Sequence, residues 1–286
     1  MPPAAPPHLW DIPPEQTLFV VDIKDFSKVQ EHRQPRLRLA MDRAVEAAFV
    51  RSGLATEWDI TARHDRGDGF IMVLPPARTW RLVDPLIRLL DDELRSHEEH
   101  RAKDDPPLRV RVSVHVGPMP TSNLADAVND AARFVDSDAA RVGIAAAAAH
   151  GSYAALVLSD DMYRRTVLAG RSKLLPDSDF LPWQAAVTGK AFRRQAWIHV
   201  PRLSPAVIAQ FLPQPDVPRT QDPGPQEAPP SSIAPRGIQV SGNVSINTMA
   251  DRIENLRTHQ INHAPQSIGA DTGIRRLPQP GGQHLP

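Results

Sequence analysis

Leu18-Phe19-Val20-Val21-Asp22-Ile23-Lys24-Asp25-Phe26-Ser27 is an apolar strand that runs into a turn, with a carboxylate where the two meet. The end of a buried strand is a costly place for a charge unless a metal, a hydrogen-bond donor or water satisfies it. A second carboxylate stands at such a junction in Arg66-Gly67-Asp68-Gly69-Phe70-Ile71-Met72-Val73-Leu74. Taken alone, Asp22 reads as a helix cap or turn aspartate, since Asp is favoured there. Asp22 and Asp68 are followed, however, by Asn129 and Arg133, one helical turn apart and so on one helix face. The four together point to chemistry on a metal-bound polyphosphate.

Around these residues the pattern alternates between strand and helix. Thr17–Ile23 reads as a buried strand, and 34–53 as a helix with Leu37, Met41, Val45 and Ala48 at helical spacing. Trp58–His64 and Phe70–Leu74 read as two strands joined by Asp65-Arg66-Gly67-Asp68-Gly69, whose glycines supply the backbone freedom of a turn. Residues 80–100 form an amphipathic helix with Leu82, Leu86, Leu89, Leu90 and Leu94 on its apolar side. Leu108–Val116 alternates as a strand with one wet or paired face. Asp126–Phe134 opens a further helix, Ala154–Leu158 is a strand, Asp160–Leu168 a short helix and Gln195–Pro201 a closing strand. The order predicts an α+β domain, a mostly antiparallel sheet with helices on one face.

Bulk composition narrows the setting. Lys+Arg and Asp+Glu both total 33 in 286 residues, so no global charge argues for a nucleic-acid or membrane partner. Cys is absent, which excludes disulfides, thiol catalysis and zinc–thiolate sites. Residues 1–14 are proline-rich, lack the apolar core of a signal peptide and read as a flexible N-terminus. No stretch approaches the roughly 20 apolar residues of a membrane span, and the expected location is cytoplasmic. Fourteen of the 30 prolines follow residue 200. The expected organisation is a folded domain over 15–201, a Pro-rich linker over 202–236, a short β-prone and helical tail over 237–263, and a disordered end over 264–286. Within the tail, residues 238–246 (IQVSGNVSI) are uncharged, proline-free and β-branched on alternating positions. Ile238–Gly242 resembles the core of amyloid-type signalling motifs, which implies self-assembly or a partner protein through this segment. A lone hairpin or a disordered stretch is the plainer reading.

Four motifs in order resemble a class III nucleotide cyclase homology domain over about 15–201. They are Val20-Val21-Asp22-Ile23-Lys24-Asp25-Phe26-Ser27, Gly67-Asp68-Gly69-Phe70, Val112-Ser113-Val114-His115-Val116-Gly117 and Val128-Asn129-Asp130-Ala131-Ala132-Arg133. The resemblance implies a ferredoxin-like catalytic domain that converts a nucleoside triphosphate to a 3′,5′-cyclic monophosphate and pyrophosphate. Two Mg²⁺ or Mn²⁺ ions per active site would be held by Asp22, Asp68 and the backbone carbonyl of Ile23. Phe26 and Ser27 would belong to the phosphate-side turn, Asn129 would orient the ribose, and Arg133 would stabilise charge on the α-phosphate. In this family the metal residues and the Asn/Arg pair of one site come from different protomers, so a head-to-tail homodimer is implied.

The chain also departs from the family. Asp25 stands where Gly is common, His64 where purine cyclases carry a Lys, and Ser122 is the nearest match to the second base-reading position. Lys190 is the candidate phosphate cation from the closing hairpin. The non-purine positions resemble the bacterial antiphage pyrimidine cyclases, which makes signalling in antiviral defence an expectation alongside the purine alternatives. The contrasting expectation is an inactive cyclase-like dimerisation module that acts through its tail. His115 reads as structural, and Arg66-Gly67-Asp68 as a coincidental adhesion tripeptide.

Overall fold

The structure is a computed structural model and describes residues 12–58, 63–120 and 125–213. The tail segment 238–246 and Ser122 lie outside the described residues. Among the described residues, seven strands form one sheet: β1 (Glu15–Ile23), β2 (Arg63–Asp65), β3 (Gly69–Leu74), β4 (Val110–Pro118), β5 (Ala154–Ser159), β6 (Leu181–Ala186) and β7 (Arg193–His199). Their order is β2-β3-β1-β4-β5-β7-β6, and only the β4–β5 pair is parallel. The helices are α1 (Gln34–Arg51), α2 (Leu86–Glu99), α3 (Asp126–Asp136), α4 (Asp138–Ala149), α5 (Asp160–Tyr163) and α6 (Pro205–Ala209). No described helix is long and apolar enough to cross a membrane.

The α+β layering is as expected, with one correction: helices cover both faces of the sheet. In β1, Phe19, Val21 and Ile23 pack with Leu37, Met41 and Val45 of α1 and with Leu86, Leu90 and Leu94 of α2. Leu18 and Val20, which point the other way, pack with Ala127, Ala131 and Val135 of α3. In β5, Leu156 and Leu158 join the first core, whereas Ala155 and Val157 face α4. A continuous apolar run in a central strand demands cover on both sides, and the small residues of α3 and α4 provide it.

Three boundaries differ from the sequence reading. The second helix is split: residues 76–82 wind as a 3₁₀ segment, and the α-helix begins only at Leu86. A strand, β6, occupies Leu181–Ala186, where none was expected. Residues 202–213, expected to open the linker, are instead folded: Leu203, Ile208 of α6, Phe211 and Leu212 pack against the α4 core. A clip reinforces that packing. Buried Asp91 of α2 accepts from the backbone N–H groups of Tyr153 and Ala154, at 2.6 and 3.2 Å, and pairs with Arg202, which also reaches Asp92.

Candidate active site

Strand register builds the site. On β1, Asp22 has the parity of Leu18 and Val20, so it lies on the α3 face. It stands opposite Gly69 of β3 on one side and opposite Arg111 of β4 on the other. The turn before β3 closes with the Arg66 N–H donating to the Gly69 carbonyl at 2.9 Å. Gly67 takes a positive φ of 86° there, a conformation that favours glycine. The Ile23 N–H donates to the Asp68 carbonyl at 2.9 Å and draws the turn against the end of β1. Gly69 is needed for a different reason. A Cβ on it would sit 1.9 Å from the Val21 carbonyl oxygen and 2.7 Å from the Asp22 Cα.

Arg111 went unnoticed in the sequence. Its Nε and Nη2 donate to the two carboxylate oxygens of Asp22, at 2.8 and 2.7 Å. This is a bidentate, largely buried ion pair, the strong form of such a contact. Even so, burial pushes the Asp22 carboxyl up to about 7; Arg111 opposes that shift, and the nearby charges of Asp68 and Asp136 add to it. Asp136, at the end of α3, pairs with Arg66 at 3.6 Å. The corner therefore gathers three carboxylates against two guanidinium groups, and Asp68 has no ion pair among the described residues.

The sign of the pH effect follows. Folding raises the Asp22 pKa from 3.8 to about 7, so the folded chain holds a proton that the unfolded chain has released. The unfolded state gains on ionisation between those values, and stability falls as pH rises from about 4 to about 7. The full span is on the order of 4 kcal/mol. Urea midpoints of the metal-free protein should drop over that window, and Asp22→Asn should flatten the slope. An unchanged slope in the variant would refute this account of Asp22.

The phosphate-side turn is self-neutralised. Asp25 adopts a left-handed conformation, φ 60°, which explains why glycine suits the position. Its carboxylate is pulled down to about 2 by hydrogen bonds from Lys24 and Lys28. Phe26 packs against the first core, and Ser27 is exposed in the 3₁₀ turn Phe26–Lys28. His64 is exposed on β2 opposite Ile71, and so on the α3 face, two strands out from Asp22. Arg63, its neighbour, turns the other way to stack on Trp58 and Phe70, 4.5 and 4.8 Å from their ring centres.

α3 carries the other half of the candidate set. It lies on β4 so closely that a Cβ on Gly117 would meet the Ala127 Cβ at 2.8 Å, and the Ser113 hydroxyl donates to the Ala131 carbonyl at 2.8 Å. Asn129 is exposed, and Arg133 is half-buried, paired with Asp130 at 3.1 Å. The Arg133 guanidinium also lies 5.9 Å from the Phe192 ring centre, and Phe192 packs edge-on against Phe134. Phe192 sits in the β6–β7 connection beside Lys190, and both line a cavity of about 520 Å³ with Arg193 and Arg194. Lys190 and Arg133 thus share one end of the molecule. Asp22 and Asp68 are gathered together; neither Asn129 nor Arg133 contacts them. His115 is structural in its surroundings: its ring is 5.7 Å from that of Phe134, and burial lowers its pKa.

The corner suits a hard divalent cation in its chemistry. A buried carboxylate whose proton affinity stays high beside one guanidinium, with unpaired Asp68 next to it, lacks positive charge. Among the described residues, no three acidic or histidine side chains converge as a ready-made cage. Asp22 and Asp68 are the side chains that would hold the ion.

Neither a family model nor a curated protein matches the chain. Solved structures do. One is the catalytic core of a rhodopsin-guanylyl cyclase with converted specificity, in complex with ATPαS, at 16% identity and TM-score 0.41 over 65% of this chain and 95% of that one. The dimeric guanylyl cyclase domain of the RhoGC fusion protein from the aquatic fungus Blastocladiella emersonii is similar at 15% identity and TM-score 0.40, covering 65% and 95%. The guanylyl cyclase Cya2 follows at 10% identity and TM-score 0.43, covering 67% and 96%. All three are cyclases by name.

Proposed function

We propose that this chain is a nucleotide cyclase that converts a nucleoside triphosphate to a 3′,5′-cyclic monophosphate and pyrophosphate. The observation that carries the reading is the corner at the end of β1, where the register sets Asp22 opposite Gly69 with Asp68 in the adjoining turn. Mg²⁺ or Mn²⁺ bound there would supply positive charge to the triphosphate and acidify the ribose 3′-hydroxyl. The 3′-oxygen, its proton passed to solvent water, bonds to the α-phosphorus as the bond to the pyrophosphate oxygen breaks. Asn129 and Arg133, exposed or half-exposed on α3 and out of contact with Asp22 in the same protomer, would meet the substrate of a second copy. In that homodimer Asn129 holds the ribose and Arg133 the developing charge on phosphate, with Lys190 beside it. His64 and Ser122 are the proposed base readers. A cytoplasmic signalling role, antiphage defence included, and tail-mediated assembly through 238–246 belong to the same proposal.

Incubation with ATP, GTP, CTP and UTP separately, each with Mn²⁺, tests it by mass spectrometry. A cyclic monophosphate from one of them is the expected product and names the base. No product from any of the four overturns the reading. A second reading, an inactive cyclase-like dimerisation module acting through its tail, is favoured by two contacts: both Asp22 oxygens are already taken by Arg111, and Arg133 by Asp130.

A further inference from the structure

On the opposite face of the sheet, α1 and α2 enclose a cavity of about 600 Å³, within the size range of small-ligand sites. Arg33, at the N-cap of α1, lines it with Arg36 and Arg43 of α1, His97 of α2 and His100 at the C-cap of α2. Leu37 and Ala44, both buried, form an apolar floor. Two carboxylates line the cavity, and one of them is engaged: Glu93 pairs with Arg51 at 2.5 Å. Arg33 donates to the Asp104 carbonyl. Arg36 and Arg43 make no ion pair or hydrogen bond among the described residues. They stand two helical turns apart, about 10 Å. His100 Nδ1 donates to the Ser96 carbonyl oxygen at 2.7 Å, which fixes the orientation of the ring at the cavity wall.

We propose that this groove binds an oligophosphate or nucleotide as an effector, at a site separate from the Asp22 corner. Two unpaired guanidinium groups about 10 Å apart call for a ligand charged at more than one point, and guanidinium matches phosphate in geometry. The floor accepts an apolar or planar moiety. Of the two lining carboxylates, Glu93 and Asp105, the first is paired with Arg51, so the lining is predominantly basic. A neighbouring cavity of about 430 Å³ shares Arg33 and Pro106 with it and is lined by Lys24, Asp25 and Lys28, the residues that follow Asp22. The groove therefore borders, through Arg33 and Pro106, a second cavity that reaches the turn of the candidate active site.

The test is a titration of the full chain with inorganic tripolyphosphate in EDTA, followed by histidine-ring NMR, with His97 and His100 assigned through His97→Gln and His100→Gln. Saturable shifts of both resonances are expected. Affinity should fall at least about tenfold in Arg36→Gln/Arg43→Gln, a neutral exchange at exposed positions, with circular dichroism confirming the fold. Unmoved His97 and His100 resonances, or undiminished affinity in the double variant, would overturn the proposal. Asp22→Asn should leave this titration unchanged, so the groove stands or falls independently of cyclase activity.

Discussion

Asp68→Ala should abolish cyclisation and leave the fold intact. The Asp68 side chain has no ion pair among the described residues, and its structural bond, the carbonyl that accepts from Ile23, survives truncation. Loss of its charge also removes one of the influences that raise the Asp22 pKa, so stability should hold or rise slightly. Turnover should fall by at least about a thousandfold, the scale of losing several kcal/mol of electrostatic stabilisation at the phosphates. Size-exclusion with light scattering, beside product measurement, checks both halves. Mixing Asp68→Ala with Arg133→Ala adds a sharper test. If each site draws on two protomers, random exchange gives hybrid dimers with one intact site and restores about a quarter of wild-type activity. Full activity in Asp68→Ala would remove the carboxylate pair from the mechanism.

Gly69→Ala should be the most damaging single-methyl change in the site. The added carbon would lie inside contact distance of Val21 oxygen and of Asp22 Cα, both backbone atoms that no rotamer change can move aside. β1 is an interior strand paired on both edges, so its retreat from β3 would strain the β4 pairing as well. A cost of at least about 3 kcal/mol is expected, beyond the usual range for overpacking by one methyl. Gly67→Ala is the natural control. Nothing lies within 4 Å of a Cβ there, and only the positive φ is at stake, which costs roughly 1–2 kcal/mol. Urea denaturation of the two variants should rank them in that order, and the reverse ranking would discredit the close β1–β3 contact.

Much of this arrangement could be read from the chain before its structure, for definite physical reasons. Asp22 and Asp68 were visible because a charge at the end of an apolar run is improbable without a partner. The partner itself was hidden: Arg111 lies 89 residues from Asp22, and only the β1–β4 register brings them together. The alternation of β4 had announced a wet or paired face, and that face holds Arg111, Ser113 and His115. β6 escaped notice because Pro182 argues against a strand interior; it is an edge strand, where a missing N–H is tolerated. Proline misled again at the domain end, where Ile208, Phe211 and Leu212 bury apolar surface on α4 despite the composition around them. The apolar run of β1 could have shown that both faces are covered, since its even and odd positions are equally hydrophobic.

The clip between Arg202 and the Asp91–Asp92 pair has a mechanical consequence. Traction applied to the chain at residue 213 meets α6 first, then Arg202, and only afterwards β7. Arg202 is held in a left-handed backbone conformation, φ 67°, and its partner Asp91 is fully buried. Breaking that pair would strand a charge away from water before any strand could peel. Whatever load reaches the domain from its C-terminal side is thus taken first by α2 and the start of β5, ahead of β7.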